Sequence, residues 1–188
     1  MAIDKVILIG GAVLIVLLLV IVLVRPWGSS KKSPVSSASP TLSASLGANE
    51  AAAADKALKA YGDFNDTYEA AGADPEADIP LKGAGSPLNL QTSAWLAQMV
   101  QQGTVTKGRP KHDPKVVEVN VTTRPYFVKI TDCYDNNGAK TVVKSSGKDM
   151  TAPNQLQRYL VNAKAEPYGK NDAQWLISTI TAERKTPC

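Results

Sequence analysis

A short basic segment between residues 107 and 115 carries the side chains with the clearest capacity for chemistry. It holds the only histidine of the chain, and its basic side chains are Lys107, Arg109, Lys111, His112 and Lys115. A cluster of this kind can contact phosphate groups of lipids or nucleic acids. No aromatic side chain lies between residues 107 and 115, so base stacking and nucleic-acid binding are not expected. The alternative interpretation is a solvated loop without a ligand.

Acidic residues offer a second set of candidates. A single histidine excludes a multi-histidine metal site, and we expect neither a metal nor another cofactor. Asp63, Asp66 and Glu69 fall on a predicted helix, where we assign them to its polar face. Asp132 has no evident titratable partner in the sequence that would raise its pKa for acid–base work. The residues themselves therefore favour a protein that is not an enzyme.

The amino-terminal segment predicts a membrane anchor. From Val6 to Val24 there are 19 consecutive residues without a charged or hydrogen-bonding side chain, enough for a helix of roughly 28 Å. Arg25, Pro26 and Trp27 follow directly, which suits a headgroup boundary better than a cleavage site. We therefore predict a single-pass signal anchor over residues 1–27 in the cell membrane.

The orientation of the anchor rests on conflicting signals. The basic residues that follow the apolar segment weakly favour a cytoplasmic carboxyl-terminal side. The two cysteines and a Ser/Pro-rich tether over residues 28–48 are more usual outside the cytoplasm. We expect the domain formed by residues 49–188 to be extracytoplasmic.

Two periodicities follow each other in residues 49–188. Asn49 is a suitable N-cap for a helix that ends near Gly72, and the spacing of Leu88, Trp95, Leu96, Met99 and Val100 predicts a second helix, closed by Gly103. Beyond it, alternation predicts about five strands, carried by Val117–Val121, Tyr126–Ile130, Thr141–Val143, Tyr159–Ala165 and Trp175–Ala182. Helices followed by strands indicate an α+β fold with two to three helices on a curved, mainly antiparallel sheet.

Several segments together resemble a known family. They are Ala57–Tyr61, Gly103–Gly108, His112–Val116, Val128–Asp135, Gly147, and Trp175 on a strand that runs to Cys188. In these segments the chain resembles extracytoplasmic domains of the nuclear transport factor 2-like superfamily, which occur in actinobacterial membrane-anchored proteins. It is similar in architecture to scaffold subunits of type IV secretion and conjugation machines and to membrane proteins associated with mycobacterial lipid importers. One departure is that Ala139 and Lys140 stand where an aromatic residue is frequent.

The resemblance implies a cone-shaped domain that encloses a pocket, and it implies a disulfide between Cys133 and Cys188. A free, buried Cys133 with an unrelated Cys188 is the alternative. Some relatives are isomerases or dehydratases with an Asp/His pair in the pocket; the candidates here are Asp132 with Tyr126 or Tyr134 nearby. The expected pocket residues are Tyr61, Trp95, Tyr126, Asp132 and Trp175.

Charge is unevenly distributed along the domain. Residues 49–78 carry eight acidic and two basic side chains, whereas residues 79–188 carry eight acidic and 15 basic ones. Such polarity favours head-to-tail contacts between copies or contacts with an acidic partner. We predict a non-catalytic scaffold or accessory subunit of a cell-envelope complex for transfer, secretion or transport. The alternatives are a module that binds a small apolar ligand and a pocket enzyme of the isomerase or dehydratase type.

Overall fold

A computed structural model describes residues 46–152 and 154–188. The predicted anchor, residues 1–27, and nearly all of the predicted tether, residues 28–48, lie outside this range. Between residues 46 and 188, as far as they are described, no helix is both long and apolar enough to cross a membrane.

The domain has two helices followed by six strands, which confirms the α+β class. The helices are α1 (Ala48–Ala73) and α2 (Leu88–Gln102). The strands are β1 (Thr104–Gly108), β2 (Pro114–Asn120), β3 (Phe127–Asp135), β4 (Ala139–Val143), β5 (Arg158–Tyr168) and β6 (Gln174–Glu183). Short 3₁₀ turns occupy Asn136–Gly138 and Lys170–Asp172.

Helix α1 varies along its length in the size of its buried side chains. Its first half places alanines against the sheet, and Ala53, Ala57 and Ala60 are buried there. Alanine is the strongest helix former and lets the helix backbone approach the sheet closely. Larger inward-facing side chains follow, of which Phe64 is buried and Tyr68 packs against the core. Near the end of the helix the buried residues are small again, at Ala71 and Gly72.

All strand pairs are antiparallel and form two sheets. The larger sheet has the order β2-β3-β5-β6, and a separate ribbon pairs β1 with β4. The inward face of β3 carries Val128 and Ile130, opposite Ala165 and Ala163 of β5. The sequence predicts about five strands, which correspond to β2–β6, and misses β1.

A bulge corrects the predicted face of β2. Strict alternation predicts Val117, Val119 and Val121 on one inward face. The register shifts between Val116 and Glu118, so Val116 and Val119 pack against the core while Val117 is 38% exposed. An extra residue in one strand reverses the side-chain alternation on its two sides.

Helix α2 has the predicted bounds, but its buried face differs from the prediction. Gly103 caps it in the left-handed conformation, with its N–H directed at the carbonyls of Met99 and Val100. Leu88, Thr92 and Met99 are buried, whereas Val100 is 42% exposed. The apolar spacing thus predicted the position of the helix correctly but placed Val100 on the buried face, whereas it is exposed.

A disulfide joins Cys133 of β3 to Cys188. The two Cα atoms are 5.7 Å apart, and the bridge spans 55 positions of sequence. Between β6 and the bridge, the N–H of Leu160 donates to the carbonyl of Thr186. The carboxyl-terminal residues are therefore fixed along the end of β5 by both a covalent and a hydrogen bond.

Gly83 lies where the connection between the helices passes between α1 and β6. It has a φ of +70°, and a Cβ atom there would collide with the backbone of Ala60 and Phe64. Its carbonyl accepts from the N–H of Ile177, which is fully buried. Only glycine fits this conformation without displacing the helix.

We predict that Gly83→Ala lowers the free energy of unfolding by about 3 kcal/mol, because it adds a steric clash to the cost of a left-handed backbone. Gly147→Ala is the matched control, since Gly147 has a φ of +68° and nothing within 4 Å of its Cβ position. The control should lose only about 1 kcal/mol. Urea unfolding of the full chain measures both, and equal losses would contradict the close approach of Gly83 to α1.

Candidate functional site

A buried carboxylate lies at the centre of the candidate site. Asp132 follows Val128 and Ile130 on the inward face of β3, and its exposed fraction is 0%. Its Oδ2 accepts from the Tyr61 hydroxyl over 2.9 Å and contacts His112 Nδ1 over 2.6 Å. Its Oδ1 accepts from the backbone N–H of Asp113 over 2.6 Å. Helix α1 and the loop between β1 and β2 thus converge on this one side chain of β3.

The backbone of the loop explains why His112 faces inward. Lys111 and Asp135 exchange two backbone hydrogen bonds of 2.9 Å, which fix the loop beside the end of β3. Because successive side chains in an extended segment point to opposite sides, His112 turns inward while Lys111 is exposed. Only 19% of the His112 side chain is exposed.

Glu69 completes the cluster from α1. Its Oε1 lies 3.1 Å from His112 Nε2, and its Oε2 lies 3.6 Å from Arg109 Nε. The prediction that Glu69 belongs to the polar face of α1 is wrong, because its side chain is only 11% exposed. Glu69 follows Tyr61 by eight positions, which places both on one face of a helix. Tyr61, Glu69, His112 and Asp132 are called the buried network below.

The network favours a protonated histidine. Burial lowers the pKa of His112, but the hydrogen bonds and charges of Asp132 and Glu69 outweigh it, and the net direction is upward. With a carboxylate on each ring nitrogen, both N–H groups of an imidazolium have an acceptor. Burial, reinforced by the charge of Asp132, also raises the pKa of Tyr61, which therefore stays protonated as a donor.

Next to the buried network lies a cavity of about 280 Å³, called the aromatic cavity. Tyr68 stacks between Phe64 and Trp95, with ring centroids 5.5 and 4.8 Å apart. The other lining residues include Glu69, Leu88, Gln91, Thr92, Pro110, His112, Tyr134, Tyr159, Val161, Ile180, Ala182 and Arg184. A second cavity, of about 540 Å³, adjoins it through shared residues such as Tyr134 and Arg184. Concave, mainly apolar sites of this size with a few polar groups suit small ligands.

The tyrosines of the cavity are held in their neutral form. Burial raises the pKa of Tyr68 to about 12. Burial likewise raises the pKa of Tyr134 and Tyr159, whereas the charge of Arg184 acts in the opposite direction on both. These hydroxyls can consequently donate or accept hydrogen bonds along the cavity wall.

The structure brings together some of the predicted pocket residues and separates others. Tyr61 and Trp95 line the aromatic cavity, and Asp132 lies directly behind its wall. Tyr126 lies elsewhere, in a cleft with Arg124 and Glu166, so it is not near Asp132. Trp175 packs against the core and lines a groove beside the first half of α1. Of the two tyrosines expected near Asp132, Tyr126 is therefore wrong and Tyr134 lines the aromatic cavity, while the hydrogen-bonding partners of Asp132 are Tyr61 and His112.

The basic segment does not act as one surface. Lys107, Arg109, Lys111 and Lys115 are exposed, but Arg109 pairs with Glu69 and Lys115 with Asp113. His112 faces the cavity instead of solvent. The sequence interpretation missed His112 as a partner of Asp132, since the two are 20 positions apart and joined only by the β2–β3 pairing.

The chemistry open to this arrangement is limited. In residues 46–152 and 154–188, no group of three or more His, Cys, Asp or Glu side chains is placed to hold a metal ion. Both nitrogens of His112 already face carboxylates, so an imidazolium there has no lone pair for a substrate proton. The network can orient groups in the cavity wall and present hydrogen bonds, which is the chemistry of binding.

Comparisons with known proteins place few constraints on the function. The chain matches no protein-family model and no curated protein. Among solved structures it is similar to the intermembrane-space region of the chloroplast protein ARC6, with 14% sequence identity and a TM-score of 0.48. The match covers 69% of this chain and 95% of the other. At this level of similarity the comparison assigns no activity, and the geometry of the site must support the functional interpretation.

We predict that His112→Gln destabilises the protein by about 3 kcal/mol at pH 6, because it removes the cation that pairs with two poorly exposed carboxylates. The folded pKa of His112 is raised, so this stabilisation is complete below the unfolded value of about 6.5 and is lost as pH rises through the folded value. The difference in unfolding free energy between wild type and variant should therefore shrink from pH 6 to about pH 9.

Tyr61→Phe is the control for this titration. It removes a neutral donor to Asp132, so we expect a loss of about 1 kcal/mol that is the same at both pH values. Urea unfolding across the pH range provides both comparisons. A His112→Gln effect that does not vary with pH would show that the imidazole is neutral throughout.

Proposed function

We propose that the chain is a membrane-tethered, extracytoplasmic module of the nuclear transport factor 2-like superfamily that binds a small, mainly apolar molecule without transforming it. The observation that carries the proposal is the aromatic cavity, closed on one side by the buried network. The order of two helices before an antiparallel sheet supports the family assignment. The apolar segment and Ser/Pro-rich tether of the sequence support the location.

The cavity suits a flat apolar body. Tyr68 and Trp95 contribute aromatic surface from the two helices, and Val161 and Ile180 contribute aliphatic surface from the sheet. Aromatic walls of this kind bind apolar groups over a large contact area with little loss of side-chain entropy. The hydroxyls of Tyr134 and Tyr159 add hydrogen-bonding groups that could orient a ligand.

The state of His112 favours binding over catalysis. General acid–base work needs a titratable group whose proton can reach the substrate. His112 instead lies between Asp132 and Glu69, and Asp132 itself already has three hydrogen-bond partners. A pocket enzyme, the alternative, would require that Asp132→Asn abolish a measurable turnover in a variant that remains folded.

Binding can be tested with 2-naphthamide, a neutral probe with a flat apolar body. The full-length chain in phosphatidylcholine nanodiscs should give saturation-transfer signals from the naphthalene protons, with empty nanodiscs as the blank. We expect Trp95→Ala to weaken binding by roughly tenfold or more, because it removes one wall of the cavity.

Trp175→Ala is the matched control. Trp175 is also a partly buried indole, but it lines a groove beside Lys56 and Gly83 and not the aromatic cavity. Circular dichroism of both variants establishes that they fold. Absence of binding to wild type, or equal weakening by the two substitutions, would overturn the assignment of the cavity as a ligand site.

A scaffold role is the second candidate, and a distinct observation favours it. Within the described ranges, Asp55, Asp66, Asp74 and Asp78 are exposed and form no ion pair, unlike Glu69 and Glu76 of the same region. Lys107 and Lys111 are exposed and lack acidic partners among the same residues. Surfaces of opposite charge on one domain favour head-to-tail contacts between copies or with a charged subunit.

For this second candidate, we predict that chemical cross-linking of the full-length chain in membranes yields oligomers at about 50 mM salt that largely disappear at about 500 mM. The triple variant Asp66→Asn, Asp74→Asn and Asp78→Asn should reduce the oligomers at low salt. The triple variant Glu118→Gln, Asp149→Asn and Asp172→Asn removes as many charges from side chains that are already paired, and it should not. Oligomers that persist equally in both variants would speak against the acidic surface.

A further inference from the structure

Arg184 occupies the mouth of the aromatic cavity. It follows directly on β6, is exposed, and lines both adjoining cavities. Its guanidinium carbon lies 5.3 Å from the ring centroid of Tyr159, and its Nη1 lies 3.4 Å from the Tyr159 hydroxyl. A cation on the face of an aromatic ring is held in a defined direction while still reachable from solvent.

The charge of Arg184 is in excess at this site. Among residues 46–152 and 154–188, no carboxylate lies within 4.0 Å of its guanidinium. The other charged groups that line the two cavities have partners: Glu69 contacts His112 and Arg109, and Lys140 contacts Asp149. The cavity therefore presents one uncompensated positive group, at its opening.

The chain holds this arginine in position. Thr186 donates from its N–H to the carbonyl of Glu183 and accepts at its own carbonyl from the N–H of Leu160. Two residues further on, Cys188 is bonded to Cys133. Arg184 lies inside this fixed turn, so its backbone cannot swing away from the cavity without breaking these bonds.

The influence of the arginine extends into the cavity. Its charge opposes the effect of burial on the pKa of Tyr68, Tyr134 and Tyr159. The charge of Arg184 thus reaches three tyrosines of the cavity wall. It would also stabilise an anionic group of a ligand placed among them.

We propose that the ligand of this cavity is an amphipathic anion, whose apolar body contacts the aromatic wall of the cavity and whose acidic group binds the Arg184 guanidinium. This inference rests on the proposed function and adds the chemical class of its ligand. Arginine presents a planar fork of donors that matches both carboxylates and phosphates. The ligand is therefore an apolar molecule with one acidic group, which is either a carboxylate or a phosphate.

Three probes with one apolar body test the proposal: 2-naphthamide, 2-naphthoate and 2-naphthyl phosphate. Isothermal titration of the full-length chain in phosphatidylcholine nanodiscs gives their dissociation constants. We expect at least one of the two anions to bind roughly fivefold or more tightly than the amide, which is the range for a partly exposed, charge-assisted contact. The anion that binds more tightly identifies the acidic group that the site prefers.

Arg184→Gln should abolish this preference, so that neither anion binds the variant more tightly than 2-naphthamide does. Arg124→Gln is the matched control, because Arg124 is also exposed and lies 4.7 Å from the ring centroid of Tyr126, away from the cavity. It removes the same charge from the protein and should leave the preference intact.

The outcomes separate the two proposals. If 2-naphthamide does not bind to the wild type, the proposed function fails. If it binds and neither anion binds more tightly, or if the preference survives in Arg184→Gln, the ligand class proposed here is wrong while the binding module stands. Equal loss of preference in Arg124→Gln would reduce the effect to overall charge and would also overturn the role of Arg184.

Discussion

The structure depends on the satisfaction of one buried carboxylate. Asp132 is fully excluded from solvent, and an unpaired carboxylate in that position would cost several kcal/mol. Its three partners come from α1 and from the loop between β1 and β2, at Tyr61, His112 and Asp113. The helix, the loop and the central strand must therefore assemble together. A carboxylate with this many partners specifies the arrangement of elements more narrowly than apolar contacts alone would.

The residues of α1 that contact the buried network also lie beside the aromatic cavity. Alanines at the start of α1 let it lie close on the sheet, whereas Tyr61 and Phe64 place larger buried side chains in the middle of the helix. Beyond that point, Glu69 reaches His112 and Tyr68 stacks on Trp95 of α2, so specific contacts support α1 in addition to its packing on the strands. The aromatic cavity is lined by this part of α1, by α2, and by residues of β5 and β6.

Sequence periodicity predicted the elements well and the site only in part. The period of two that places Val128 and Ile130 on the inner face of β3 continues to Asp132, and the helical period from Tyr61 reaches Glu69. Glu69 was expected to be solvated because of its residue type, although its position already indicated burial, whereas Asp132 was expected in the pocket but without a titratable partner. His112 could not be located in this way, since a backbone pairing between Lys111 and Asp135, distant in sequence, turns it inward. The β2 bulge that exposes Val117 likewise depends on the partner strand and leaves no periodic signal.

The charges of the cavity wall explain why Arg184, at the mouth of the cavity, is the residue that binds the acidic group of the ligand. Asp132 and Glu69 contribute two negative charges, and a protonated His112 together with Arg109 contributes two positive ones, so the buried network and Arg109 together are balanced. A balanced, internally hydrogen-bonded network exerts only a weak net field on a ligand beside it. When His112 loses its proton, the balance shifts by one negative charge on the wall of the cavity. The negative wall then repels the acidic group of a ligand, whereas Arg184 still attracts it. A ligand with an acidic group should therefore bind less tightly as His112 deprotonates.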